Sequence, residues 1–353
     1  MSGTSAATTP VPGEHPVDGH AASEDAARTR SAAYVALLKP RIALLVVVTT
    51  AVGYATAVRF GDIAGWTWLG AFGSLLGTAS SCMAAAAFNQ ILERRVDGLM
   101  PRTRNRPLPR GDLGVGEAVW LAVTLTVLGQ GLLCVCGTPL ASWIALFTIA
   151  SYALLYTPLK RVTSWSVWIG AVPGALPPVI GYAAATGHPL AMAPAVTGGG
   201  VLGGPIGPGL DAVLPVSFGY LGPAAWLLFA ILFFWQVPHF LCIAELYRDD
   251  YAAGGMPMAP VRDARDGGNR TGREAVFGTA VLVGVTVLPW WLGYAGLAYL
   301  VIAGAASLLF AGQAWRFVID RRRDTARRLF LGSLLYLPVV LLAWVLNPAG
   351  GAI

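Results

Sequence analysis

Nine apolar stretches, each long enough to cross a bilayer, divide this sequence and leave it few folds to choose from. They run near 42–58, 66–88, 115–136, 139–157, 165–185, 223–243, 275–293, 295–315 and 329–347. Apolar runs of about 18 or more residues read as membrane spans. In lipid such a span must be helical, so that every backbone group finds a partner within it. The expectation is an all-α, polytopic membrane protein with about nine transmembrane helices in a bundle. The pairs 115–136/139–157 and 275–293/295–315 are separated by so few residues that each must form a tight antiparallel hairpin.

Charge refines the picture. Only 12% of residues are charged, against about 25% in a soluble domain, and they gather between the spans. With the N-terminus in the cytoplasm, 23 of the 24 Lys and Arg residues fall on the inner side and only Arg59 lies outside. The positive-inside rule therefore sets that orientation and accounts for the net charge of +6 without any nucleic-acid partner. Residues 1–33 have a different composition. They are rich in Ser, Thr, Ala, Pro and acidic residues and have no apolar core of the kind a signal peptide needs. They read as a disordered polar tail holding His15 and His20, ahead of a membrane domain spanning 34–353. Segment 186–222 is Gly/Pro-rich and almost uncharged, and it reads as an outer loop insertion containing His188. The four cysteines, Cys82, Cys134, Cys136 and Cys242, fall within spans or at their ends and read as structural.

The unusual polar residues collect in two inner segments, after the second and sixth spans. In the first, Asn89, Glu93 and Asp97 are spaced four apart, so on a helix they share one face. An amide and two carboxylates together suit Mg²⁺, which joins one or two carboxylates to substrate phosphates. Arg102, Thr103 and Arg106 follow at once in an Arg-Thr-x-x-Arg-Pro run, offering bidentate phosphate donors. The second segment reads Trp235-Gln236-Val-Pro238-His239-Phe240, then Glu245 through Asp249, Asp250 and Tyr251. Its acids make a second candidate Mg²⁺ site on the same side of the membrane. Two acidic sites flanking one diphosphate would stabilise a leaving group from both sides.

With these motifs in view, the sequence resembles the intramembrane aromatic (UbiA-type) prenyltransferase superfamily, and within it the haem-farnesylating branch. The pattern N-x-x-x-E-R-x-x-D-x-x-M-x-R-T-x-x-R-P is met from Asn89 to Pro107. W-Q-x-P-H-F is met at Trp235–Phe240 and D-Y-x-x-x-G-x-P-M at Asp250–Met258. A third block runs Tyr156-Thr157-Pro158-Leu159-Lys160-Arg161, followed by Gly174 to Pro178. Two positions depart from the family pattern: Ser166 stands where an Asn is usual, and Ala259 where a Leu is common.

The resemblance implies a helical bundle around a central cavity open to the membrane, in a cell inner membrane, with its active site toward the cytoplasm. It implies farnesyl transfer from farnesyl diphosphate to a vinyl group of haem b with addition of water, giving the haem used by terminal oxidases. Downstream haem-modifying or oxidase-assembly proteins would be its partners. Mg²⁺ held by Asn89, Glu93, Asp97, Asp249 and Asp250 would stabilise the departing diphosphate, with Arg102, Thr103, Arg106 and Lys160 as its direct contacts. Tyr156 and Tyr251 have two readings, π faces turned to the allylic cation or residues of the interfacial aromatic belt, and Gln236 and His239 would meet substrate. His239 has two readings, a ligand to haem iron or a hydrogen-bonded helix end. Arg94 and Arg95 are open to pairing with haem propionates or to membrane anchoring. Two alternatives stand beside this one. A prenyltransferase acting on a quinone-precursor aromatic acid would keep both acidic clusters. A transporter would place its charges near the bilayer midplane, which this sequence does not.

Overall fold

The computed structural model describes residues 30–60, 67–186 and 220–347. Most of the N-terminal tail, the greater part of segment 186–222, and His15, His20 and His188 lie outside the described residues. Among those described, nine helices are long and apolar enough to cross a membrane: α1 (Arg30–Phe60), α2 (Trp68–Asp97), α3 (Val115–Cys136), α4 (Pro139–Leu159), α5 (Ser166–Ala185), α6 (Pro223–Leu246), α7 (Arg270–Trp291), α8 (Leu297–Ile319) and α9 (Arg323–Leu346). The helices extend past the apolar stretches at their charged ends. α2 runs nine residues beyond 88, and α9 begins six residues before 329. Hydropathy marks only the part in hydrocarbon, whereas backbone pairing continues into the water-facing turns.

The hairpins form as the spacing requires. Thr138 caps α4 by accepting the Ala141 N–H at 3.0 Å, one residue after α3 closes at Gly137. A five-residue turn, Leu292 to Gly296, joins α7 to α8. α5 is the most enclosed helix: 78% of its apolar window is buried, against 17% for α1 and α3. It crosses α1 at two glycines. A Cβ on Gly53 would lie 1.9 Å from the Pro178 carbonyl oxygen, and one on Gly181 would lie 1.9 Å from that of Thr50. With no hydrophobic drive between helices in lipid, such close backbone approach is what holds them. Large apolar side chains, among them Leu44, Leu154 and Leu309, face outward, as lipid contact requires.

Both acidic segments emerge at one end of the bundle. The segment after α6 contains two short helices, Arg248–Ala253 and Ala259–Asp266. It is clasped by Asp263, whose Oδ1 accepts the Arg270 N–H at 3.0 Å. Asp263 Oδ2 accepts the Thr271 N–H at 2.8 Å and its hydroxyl at 2.6 Å, and Arg321, in the turn between α8 and α9, lies at 2.5 Å. One carboxylate thus caps α7 and ties the loop to the α8–α9 turn. Ser166, the departure from the family pattern, is fully buried and donates to Met258 Sδ at 3.7 Å. It joins the start of α5 to the Gly-x-Pro-Met turn.

Candidate active site

The last turns of α2 present Asn89, Glu93 and Asp97, only 3%, 2% and 0% exposed. Buried carboxylates need partners, and both find cations from elsewhere in the chain. Glu93 Oε1 lies 2.5 Å from Lys160 Nζ. Asp97 takes Arg106 Nη1 on both oxygens, at 2.8 and 2.7 Å. Asn89 Nδ2 donates to Glu93 Oε2 and to Thr157 Oγ1, each at 3.1 Å. The helical face read from the spacing is therefore real, and it is neutralised in pairs.

Lys160 and Thr157 reach this group because of a local irregularity in α4. Residues Ser151–Tyr156 wind as a π-helix, and the Thr157 N–H bonds the Tyr152 carbonyl. A π turn carries about one residue more than an α turn and is frequent at functional sites. Here Tyr152 stacks on Tyr156 with ring centres 5.3 Å apart, and Lys160 Nζ stands 5.5 Å from the Tyr156 ring centre. Gly170 of α5 makes the room, since a Cβ there would meet the Tyr156 ring at 2.6 Å.

The two segments touch. The Arg102 N–H donates to Asp250 Oδ1 at 3.4 Å, and the Arg102 guanidinium lies 4.6 Å from the Tyr247 ring centre. Asp249 is not drawn in: its side chain is 95% exposed, with Arg248 at 3.5 Å. Burial pushes the Tyr251 hydroxyl up, with Tyr156 adding to the effect and Arg102 and Lys160 opposing it. Its ring is therefore neutral at physiological pH.

Among the described residues, no three of His, Cys, Asp and Glu stand together as a metal cage. Mg²⁺ seldom asks for one, because it keeps waters and takes the rest of its shell from one or two carboxylates and substrate phosphates. The amide and carboxylate oxygens on α2 fit that chemistry.

Other residues singled out by the sequence have different occupations. The Thr103 hydroxyl donates to the Asp97 carbonyl at 2.9 Å and shapes the turn after α2. Gln236 is 3% exposed and donates to the Leu232 carbonyl at 3.0 Å and to the Ala171 carbonyl at 3.4 Å, which ties α6 to α5. Arg94 donates to its own helix at the Ile91 carbonyl. His239 is half-buried, stacked between Trp235 and Phe330 at 4.9 and 5.4 Å. Its Nδ1 lies 2.7 Å from Ser333 Oγ, and that hydroxyl spends its one proton on the Phe330 carbonyl at 2.6 Å. Ser333 can then only accept, so Nδ1 carries the hydrogen and Nε2 keeps its lone pair. Sequence reading missed Thr157, Tyr152 and Ser333 as site residues. Thr157, three residues before Lys160, was the one with a signal, since that spacing shares a helical face.

Nine membrane-length helices among the described residues, with two joined acid–base segments at one end, fit an intramembrane prenyl-transferring enzyme, and the chain belongs to the UbiA prenyltransferase family, whose model matches residues 46–344. Its relatives include the protoheme IX farnesyltransferase of Opitutus terrae, 38% identical over 315 residues, covering 89% of this chain and 94% of that protein. That of Solibacter usitatus is 37% identical over 316 residues, covering 87% and 95%. Solved structures share the fold at low identity. A digeranylgeranylglyceryl phosphate synthase matches with a TM-score of 0.67 at 17% identity, over 90% of this chain and 98% of that one. A UbiA homologue from Archaeoglobus fulgidus, bound to GPP and Mg²⁺, matches with a TM-score of 0.55 at 14% identity, over 88% and 99%.

Proposed function

We propose that this chain transfers a farnesyl group from farnesyl diphosphate to a vinyl group of haem b, with water adding, in a cell inner membrane and with its site toward the cytoplasm. The observation that carries the reading is the buried set of two carboxylates, each already paired with a cation, Glu93 with Lys160 and Asp97 with Arg106. Such a set can exchange partners. The carboxylates are free to turn to a divalent cation while Lys160 and Arg106 turn to phosphate oxygens. The names of the relatives support haem as acceptor, and the one-sided distribution of Lys and Arg supports the orientation.

Asn89, Glu93 and Asp97 on α2, with Asp250 across the Arg102 contact, would hold Mg²⁺. When bound, that ion neutralises charge on the departing diphosphate. The chain's own residues do the rest. Lys160 and Arg106 receive the diphosphate oxygens as the bond from oxygen to farnesyl C1 breaks. Tyr156, stacked on Tyr152, and the neutral Tyr251 offer π faces to the allylic cation without supplying a nucleophile. The apolar bundle keeps bulk water from the cation until the vinyl group attacks it. C1 bonds the outer vinyl carbon, the inner carbon becomes cationic, and one water adds there and gives up a proton. Haem b, farnesyl diphosphate and water thus become hydroxyethylfarnesyl haem and diphosphate.

The test is haem mass spectrometry after membranes holding the protein are incubated with haem b, farnesyl diphosphate and Mg²⁺. A hydroxyethylfarnesyl haem is expected. Absence of any haem product, with prenylation of an added aromatic acid instead, would move the chain to a quinone-precursor acceptor.

A further inference from the structure

The turn between α8 and α9 lies at the end of the bundle that holds both acidic segments, to which Arg321 ties it through Asp263. Six arginines stand in or beside this turn, from Arg316 to Arg328. Arg321 is committed to Asp263 and Arg322 to Asp320. Arg316 and Arg328 make no ion pair or side-chain hydrogen bond among the described residues. They line instead one groove of about 360 Å³ between α8 and α9, which no carboxylate among the described residues lines.

Helical spacing builds the groove. On α9, Arg328, Leu331, Gly332 and Leu335 recur three and four residues apart, and on α8 Gln313 and Arg316 are three apart, so each set shares one face of its helix. Between the helices, the Thr325 hydroxyl donates to the Asp320 and Arg322 carbonyls and holds the turn closed. Gly332 leaves room for the Gln313 side chain, since a Cβ there would lie 1.9 Å from its Oε1. That oxygen is buried without a partner, which is uncommon for a polar atom. Leu331 and Leu335, 53% and 69% exposed, lie one and two turns deeper than Arg328, on the side that meets hydrocarbon. The opposite side of the same turns carries Phe330 and Ser333 to His239.

The groove is amphipathic along its length. Two guanidinium groups stand at its polar end, and such groups bind phosphate oxygens with strong, charge-assisted hydrogen bonds. Leucines continue it into the hydrocarbon, where a water-soluble anion gains nothing and an acyl chain packs. Basic pockets between membrane helices hold anionic headgroups. We infer that this groove binds an anionic phospholipid, with its phosphate on Arg316 and Arg328 and one acyl chain along Leu331 and Leu335. Headgroup hydroxyls supply the donor that the Gln313 amide oxygen lacks. A lipid seated here braces α9 from outside, behind the face that holds His239.

Two measurements test it, and neither depends on the reaction. In native mass spectrometry of the full chain in detergent, phosphatidylglycerol should be retained in preference to phosphatidylcholine. Arg316→Gln combined with Arg328→Gln should lower that preference by about 10- to 30-fold, the scale of two basic residues at an anionic surface. Equal melting temperatures for the two proteins in phosphatidylcholine nanodiscs would show that the variant lost the site and kept the fold. The wild-type protein gives a second reading whether or not the variant folds. Phosphatidylglycerol carrying a diazirine in its acyl chain should label the peptide holding Leu331 and Leu335 above other lipid-facing peptides, and added inorganic phosphate should not displace it. Unchanged retention in the double variant, or even labelling of all the lipid-facing helices, would reduce the groove to ordinary lipid contact and overturn the inference. Displacement by inorganic phosphate would overturn it in favour of a site for a free anion.

Discussion

Thr157 Oγ1 accepts a hydrogen bond from Asn89 Nδ2 at 3.1 Å while donating its own proton to the Tyr152 carbonyl at 2.8 Å. A hydroxyl has one hydrogen, so Thr157 can offer Asn89 only a lone pair. The Asn89 amide must therefore turn its nitrogen toward α4, and its carbonyl oxygen is left for an ion. Glu93 holds the same amide through Oε2, but Glu93 is itself a candidate ligand, whereas Thr157 is not.

Thr157→Val keeps the shape and removes the acceptor. The Mg²⁺ concentration for half-maximal turnover should rise about 10- to 100-fold, as with other partners of metal ligands, and Thr157→Ser should behave as wild type. Titration of turnover against Mg²⁺ at saturating substrates checks this. A Val variant with an unchanged Mg²⁺ requirement would show that Thr157 has no part in orienting Asn89.

Asp97 and Asp250 come from different segments, yet each bonds the Arg102–Arg106 turn. Asp97→Asn and Asp250→Asn should each abolish turnover, measured as diphosphate release, while the protein still inserts and elutes as a folded species in detergent. Asn is the better probe at position 97, because removing one partner of a buried ion pair outright costs about 3–5 kcal/mol. Retained turnover in both variants would remove these residues from the proposed Mg²⁺ site.

Ser333 fixes the His239 ring with the hydrogen on Nδ1. If the remaining Nε2 lone pair serves the acceptor, Ser333→Ala should raise KM for haem b roughly 5- to 10-fold, the worth of one neutral hydrogen bond. KM for farnesyl diphosphate should not move. Equal changes in both constants would assign Ser333 to packing alone.

Asp263 is a matter of stability. Burial works against its charge, but the Thr271 hydroxyl, the Thr271 and Arg270 N–H groups and Arg321 outweigh it, and the carboxyl is held below the usual range. A carboxyl lowered on folding stabilises the native state above its unfolded pKa of about 3.9, and that stabilisation is lost as pH falls through the folded value. Asp263→Asn should therefore lower the melting temperature at pH 7, with a cost of about 1–3 kcal/mol. The gap between variant and wild type should close below about pH 4. Melting curves at both pH values decide it, and a gap independent of pH would exclude the ionised clasp.

The fold was largely legible because its cause is local. Span length and charge placement depend on hydrocarbon thickness and water, and both can be read along the chain. The face formed by Asn89, Glu93 and Asp97 was legible for a similar reason, since helical periodicity alone puts them together. What periodicity could not show was which cations would meet them. Lys160 reaches Glu93 only through the π turn in α4, and nothing in Ser151–Tyr156 announces an extra residue per turn. Gln236 stands in a motif and reads as a substrate contact, yet its amide nitrogen is taken up by carbonyls of α5 and α6. Gln90 reads as one more helical residue, because its task is to mend the proline break at Pro40 in another helix, where it donates to the Ala36 and Leu37 carbonyls. Long-range repair of backbone leaves no local pattern.

The π-helix at Ser151–Tyr156 has a consequence for how this protein can change over time. Side chains there can be exchanged one by one, each at its own small cost. Removing a single residue would instead rotate everything after it by about 100°, carrying Thr157 off Asn89 and Lys160 off Glu93 in one step. The spare residue in that turn works as a ratchet: once the site had been built around it, no gradual path led back to a regular helix.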